Sequence, residues 1–314
     1  MKTGNLRKFL ILVILIALTS MFACSAGKDV YEVGSLAYDS FSNIILPDEK
    51  PVLKKKVLIT PVINASEISS DQAEAIRQDC ISYLSKDKYL LLTTLKKWDD
   101  NIPAYVLKEF GRVINPAYSE SAEKMGINIL LACVIHPIEV TKTRTGIWPF
   151  RRDSHKALLS LSLNALDTVN DTQIIYDVRT TNIKIDKFNS NDKDQWSPYY
   201  DLIRDKFSSM TKKLCSSSSD KLRKIPWQSK IRKDGGRFII NGGKDIGVTE
   251  DTVFELYKQG DPVDALGNTK YEIFGAKIGE TRVRYLSENQ TVLDVKTDEE
   301  YKEAAYVRVK RYGD

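Results

Sequence analysis

The chain has 314 residues, of which 42% are hydrophobic, 9% aromatic and 28% charged. That composition excludes wholesale disorder, collagen and coiled-coil repeats, and the length suggests about two domains able to bury cores without disulfide staples. The formal charge of +5 comes from 47 Lys and Arg against 42 Asp and Glu, and setting aside Lys2, Arg7 and Lys8 of the N-terminal leader leaves 44 against 42. A surplus that small is no electrostatic footprint for a nucleic acid. With only two histidines, His136 and His155, composition also argues weakly against hydrolytic chemistry.

Residues 1–8 hold those three cations and no acid, and residues 9–18 (FLILVILIAL) are apolar. A basic start, a short apolar run and small residues after it make a secretory signal. The run falls short of the about 18 residues that a membrane-spanning helix needs. Cys24 follows Ala23 at its end. This arrangement resembles the bacterial lipobox, in which signal peptidase II cuts before a cysteine that carries a diacylglycerol on its thiol. The resemblance implies a covalent lipid on Cys24 and no other cofactor; a cut after Ala26 is the alternative. One acyl chain binds membranes only marginally, so the three chains of a bacterial lipoprotein are needed for firm anchoring. Ser25 stands where Asp would retain an enterobacterial lipoprotein at the inner membrane. The expected address is therefore the outer membrane, facing the periplasm.

Removing Cys24 leaves Cys80, Cys133 and Cys215, an odd number for an oxidising compartment and without metal-site spacing. Two readings stand: buried thiols, favoured by the apolar settings of Cys80 and Cys133, or a single Cys80–Cys215 bridge.

Residues 25–50 lack periodicity and read as a tether. Residues 57–62 (VLITPV) predict a strand, and Asp71 with Glu74 predicts a capped helix start. Ala73, Ile76, Cys80, Ile81 and Leu84 then recur at helical spacing. Strands are expected at 89–94 and 127–134, the second apolar throughout and hence covered on both faces. Short helices are expected at 103–110 and 118–125, the latter stopped by Gly126. Leu159, Leu161, Leu163 and Ala165 alternate with Ser160, Ser162 and Asn164, and residues 170–172 turn the chain into a return strand at 174–185. Ser197 is placed as N-cap and Pro198 as the first residue of a helix. Its stripe of Trp196, Tyr199, Ile203, Phe207, Met210 and Leu214 reads as core packing, and the serine run 216–219 is expected to end it.

From residue 225 the pattern changes to short strands between glycine turns: 237–241, 253–257, 271–274, 281–286, 291–295 and 306–309. Such a stretch without helices predicts a small barrel or sandwich. The expected organisation is a signal over 1–23, a lipid-proximal tether over 24–50, an α/β domain over 51–215 with a mixed sheet and flanking helices, a linker over 216–228, and an all-β SH3-like barrel or sandwich over 229–314.

Catalytic motifs are mostly missing. Gly243-Lys244 would close a phosphate loop only if Phe238 were glycine and Asp245 were Ser or Thr. Neither a dinucleotide glycine motif, a zinc-protease helix, a nucleophile elbow nor a calcium loop occurs. The acidic pairs Asp99-Asp100 and Glu299-Glu300 lie in polar stretches and read as solvated, and His136 reads as a strand-end residue. No metal site and no catalytic residue is expected. The basic clusters 54–56, 151–152, 212–213 and 221–224 read as solvated surface, or as contacts to anionic partners or headgroups. One segment differs: in 142–153 (KTRTGIWPFRRD), Ile147, Trp148 and Phe150 lie beside Arg151 and Arg152 in an expected loop. That is the composition of a binding hot spot, unless the rings fold back onto their own core.

The segments 57–62, 89–94, 125–129 and the hairpin resemble the TolB N-terminal type of α/β domain, found also in the curli secretion lipoprotein and in flagellar assembly protein T. Residues 225–247 (IPWQSKI through FIINGGKDIG), 254–257, 266–267, 278–283 and 290–293 resemble the C-terminal domain of flagellar assembly protein T. The resemblance implies a non-enzymatic envelope lipoprotein that helps assemble a machine such as a flagellar ring or secretion complex. Its partners would be the membrane, through the lipid, and other envelope proteins. A homo-oligomeric, curli-like pore is the alternative, although charges on both parities of 138–155 suit membrane strands poorly. A small-molecule or glycan binder ranks lower.

Overall fold

The computed structural model describes residues 52–93, 122, 123, 125–185, 196–265, 269–295 and 299–310. The expected signal and tether, with Cys24, lie outside the described residues, as do the helix at 103–110, Asp99-Asp100 and most of 118–125. Among the described residues no helix is long and apolar enough to cross a membrane. The fold is mostly β, with two α-helices described.

The N-terminal sheet is mixed and is built around two strands, β4 (Ile129–Ile135) and β6 (Arg152–Asp167). On one edge of β4 lie β1 (Lys55–Ile59) and then β2 (Ile63–Asn64), both parallel to it. Strand β3 (Leu90–Thr93) extends the sheet beyond β1, also in parallel. The other edge of β4 pairs antiparallel with residues 161–167 of β6. Because β6 is 16 residues long, its first half still has a free edge, and β5 (Glu139–Thr145) pairs there. Strand β7 (Thr172–Ile185) covers the far edge of β6 as far as His155.

All seven residues of β4 are buried, as its unbroken apolar run requires. Ile129, Leu131, Cys133 and Ile135 enter the core beneath the helices, while Leu130, Ala132 and Val134 join a smaller cluster on the opposite face. The alternation in β6 holds for Leu159, Leu161, Leu163 and Ala165. Its polar partners are less exposed than period two implies. Ser162 and Asn164 are 0% and 1% exposed because the second face is covered at this end.

Helix α1 (Ser70–Leu84) is capped by Ser69, two residues before the expected cap Asp71. Ser69 accepts from the Gln72 amide, and Gln72 accepts in return from the Ser69 amide, a reciprocal capping box. Asp71 sits in the first turn, where its charge suits the helix dipole, and Glu74 bonds Arg77 and Gln78 on the surface. A 3-10 turn at Ser197–Tyr199 leads into α2 (Tyr200–Lys224). Trp196, Ile203, Phe207, Met210 and Leu214 are buried as the stripe predicted.

The serine run does not end α2. Cys215, Ser218, Ser219 and Leu222 continue the buried face, and Ser217 donates to Asp177 while Ser219 donates to Asp87. Small side chains let the last turns lie close to the sheet, so a low-propensity run stays helical through tertiary packing. The expected linker is thus largely helix.

The C-terminal strands form a second seven-stranded, antiparallel sheet in the order β8-β16-β11-β14-β15-β10-β9. These are β8 (Gln228–Lys230), β9 (Arg232–Asp234), β10 (Arg237–Ile240), β11 (Val253–Gln259), β14 (Phe274–Leu286), β15 (Thr291–Leu293) and β16 (Ala304–Val309). The two edge strands, β8 and β9, are separated in sequence only by Ile231, so the sheet curls until its edges nearly meet. Strand β14 turns the corner: residues 274–282 pair with β11 and residues 283–286 with β15. A small ribbon of β12 (Val263–Ala265) and β13 (Thr269–Tyr271) lies off this nearly closed barrel.

The two sheets are locked together. Leu53, which leads into β1, is buried in the barrel core beside Trp227, Ile246 and Phe254. The Lys54 amide donates to the Ile246 carbonyl at 2.8 Å. The cluster at residues 54–56, expected on the surface, instead lies in this junction. Lys55 and Lys56 are 4% and 8% exposed; Lys55 Nζ donates to the Ile225 carbonyl and Lys56 pairs with Asp245 at 2.7 Å. Asn128 Nδ2 donates to the Gln228 carbonyl, and Gln228 Nε2 donates to Asp167.

Candidate functional site

Three of the sequence-selected residues meet at one tip. Seven backbone pairs, from Glu139↔Leu158 to Thr145↔Arg152, hold β5 and β6 together, and residues 146–151 close the hairpin. Among the described residues β7 pairs with β6 only as far as His155, and residues 143–154 continue beyond it as a two-stranded arm, reaching about 10 Å past that pair at about 3.3 Å per residue.

The loop is compact. The Phe150 amide donates to the Ile147 carbonyl at 2.7 Å. Gly146 has φ +108, and a Cβ there would lie 2.8 Å from the Phe150 carbonyl oxygen. Ile147, Trp148 and Phe150 are 84%, 77% and 81% exposed, so the rings do not fold back on the domain. Trp196 and Trp227, the other described tryptophans, are buried. A large apolar group left in water forgoes about 1.5–3 kcal/mol that burial would supply, which makes three adjacent ones an adhesive patch.

The arm is cationic. Lys142 pairs with Asp153 at 2.7 Å and Arg144 contacts the same carboxylate at 3.4 Å. The hydrogen bond from Lys142, aided by the Arg144 charge, holds the Asp153 carboxyl below its usual range. Arg151 is exposed beside the aromatic tip, and Arg152 pairs with Thr145 through the backbone. Thr143 and Ser154 are within hydrogen-bond distance through their hydroxyls, which stiffens the arm.

Two other places could carry chemistry. His136 Nε2 lies 2.9 Å from Ser162 Oγ, the spacing of a base and a nucleophile. Ser162 is wholly buried, however, so no substrate reaches its oxygen, and burial holds the His136 imidazole below its ordinary range. This pair was not singled out by sequence, because Ser162 belongs to a polar face expected in solvent. A cleft of about 340 Å³ opens at the junction, lined by Glu123, Asn128, Lys230, Arg232 and Asn241 among others. There Lys230 bridges Glu123 at 2.9 Å and Glu272 at 3.0 Å, and Tyr306 donates to Glu272. Burial pushes Lys230 down, but the two carboxylates outweigh it and keep the ammonium above its ordinary range. The charges are mutually satisfied. Among the described residues no cluster of His, Cys, Asp or Glu could hold a metal ion.

No protein-family model and no curated protein matches the sequence. Solved structures do overlap it in part. A hypothetical protein from Chlamydia trachomatis is 11% identical, with 52% of this chain and 99% of that one covered and a TM-score of 0.28. A lipoprotein from Neisseria meningitidis is 12% identical, with 48% and 99% covered and a TM-score of 0.27. The PelC dodecamer from Paraburkholderia phytofirmans is 12% identical, with 52% and 87% covered and a TM-score of 0.31. Likeness at this level assigns neither a family nor an activity.

Proposed function

We propose that the chain is a lipid-anchored envelope protein that works by docking and performs no catalysis. Cys24 holds it at the outer membrane facing the periplasm, residues 24–50 supply reach, and the β5–β6 tip seats in another envelope protein. The observation that supports this reading is the exposure of Ile147, Trp148 and Phe150 at 84%, 77% and 81% on a stiff arm. An aromatic anchor with a cationic collar suits a partner pocket with an acidic rim. The mixed sheet and nearly closed barrel fit the TolB N-terminal and flagellar-assembly resemblance, with an SH3-like barrel, so a flagellar ring or secretion complex is the machine proposed.

The test is the mass of the native, membrane-extracted protein in mild detergent, measured by light scattering for the wild type, Cys24→Ala and the double variant Trp148→Ala/Phe150→Ala. The expected result is a defined assembly with other envelope proteins that the double variant loses while its circular dichroism stays unchanged. An assembly of this chain alone would transfer the reading to the pore. A monomer indifferent to all three substitutions would overturn it.

A further inference from the structure

Cys80 on α1 and Cys215 on α2 are 135 residues apart, yet their sulfurs lie 3.1 Å from each other in the core. Their exposures are 0% and 1%, and the third thiol, Cys133 on β4, is 2% exposed in the same core. The sulfur contact joins the two helices. It is about 1 Å longer than a disulfide bond of about 2.05 Å.

We propose that Cys80 and Cys215 form a disulfide that ties α1 to α2 when the chain reaches an oxidising compartment, and that Cys133 stays a thiol. That setting rests on the export reading of residues 1–23. The oxidant is the disulfide of a thiol oxidoreductase. One thiolate of the chain attacks it to give a mixed disulfide, and the second thiolate displaces the enzyme's sulfur. The two thiols give up two electrons and, through water, two protons to the oxidant, which leaves as a dithiol.

The exchange belongs to folding. In the finished core the Cys215 hydrogen bond and burial hold the Cys80 thiol well above its ordinary range, and burial does the same to Cys133. Neither is then an effective nucleophile. The bond would close a loop spanning most of the α/β region, and cross-links over long loops restrict the unfolded chain most. Reduction is expected to lower the Tm by about 10 °C.

The full chain, exported with its own leader and extracted in detergent, is denatured, alkylated without reductant, digested and analysed by mass spectrometry. A Cys80–Cys215 linked peptide with alkylated Cys133 supports the proposal, and in Cys80→Ser the Cys215 peptide should become alkylated. The same chain is also refolded from denaturant in a glutathione redox buffer. A link formed there but missing from exported protein would overturn the export reading and leave the pairing intact. No link in either preparation, or a link through Cys133, overturns the pairing.

Discussion

Gln228 Nε2 donates a 2.6 Å hydrogen bond to Asp167 Oδ2 across the junction between the two sheets, and the residues are 8% and 3% exposed. The Val169 amide donates to Asp167 Oδ1 at 2.9 Å. Burial nevertheless prevails over these bonds and the nearby Lys55 charge, and the Asp167 carboxyl is pushed up to about 6. An unfolded Asp titrates near about 3.9. Between these values the folded state binds more protons than the unfolded state, so this group's contribution to stability falls as pH rises from about 4 to 6. Asp167→Asn removes that titration, and its amide can still meet Gln228, whose own amide can turn to offer oxygen. Urea midpoints measured from pH 4 to 7 should show the variant gaining on wild type by about 1–3 kcal/mol across the window. A difference independent of pH would rule this out.

The same junction predicts joint unfolding. Gly126 has φ +71, and a Cβ there would lie 2.7 Å from Asn241 Cβ and 2.9 Å from the Asn241 carbonyl oxygen, in the barrel. Gly126→Ala therefore combines a left-handed backbone with a clash between the sheets. We expect a loss of about 2–4 kcal/mol, read as a lower urea midpoint. Far-ultraviolet dichroism and the fluorescence of Trp227 should shift together in a single transition. If the barrel signal kept its wild-type midpoint, the sheets would unfold independently.

Much of the N-terminal fold was legible because its signals are local. The apolar run of β4, the alternation of Leu159, Leu161, Leu163 and Ala165, and the stripe of Ala73, Ile76, Cys80 and Leu84 each bury the side that their periodicity assigns. What escaped depends on partners distant in sequence. Lys55 and Lys56 look like surface charges until Ile225 and Asp245 arrive from the other module. Ser162 looks exposed until His136 and the covered second face enclose it. The tip residues were found by composition, but whether they faced water depended on how far β6 outruns β7, which no local pattern encodes.

Helix α2 offers a sharp test of one such miss. Leu222 is 0% exposed and packs in the same core as Phe207 and Leu214, beyond the serine run. A residue in a flexible linker would tolerate Leu222→Ala with little change. As part of a buried helix face the substitution should cost about 2–5 kcal/mol, read from denaturant midpoints. A cost under about 0.5 kcal/mol would restore the linker.

The hairpin tip should separate binding from folding. Ile147, Trp148 and Phe150 touch no core, so Trp148→Ala and Phe150→Ala should leave the Tm within about 2 °C of wild type. If the tip is the anchor, each should weaken partner affinity by about 30-fold or more, because a buried aromatic hot spot carries about 2 kcal/mol. Arg151→Glu should act differently, slowing association and flattening its salt dependence by reversing a rim charge. The indole supplies its own readout. The difference in emission between wild type and Trp148→Phe isolates Trp148, which should emit as a solvated indole in the free protein and shift to the blue on complex formation. An emission that stays red in an assembled, affinity-purified complex would place the contact elsewhere on the surface.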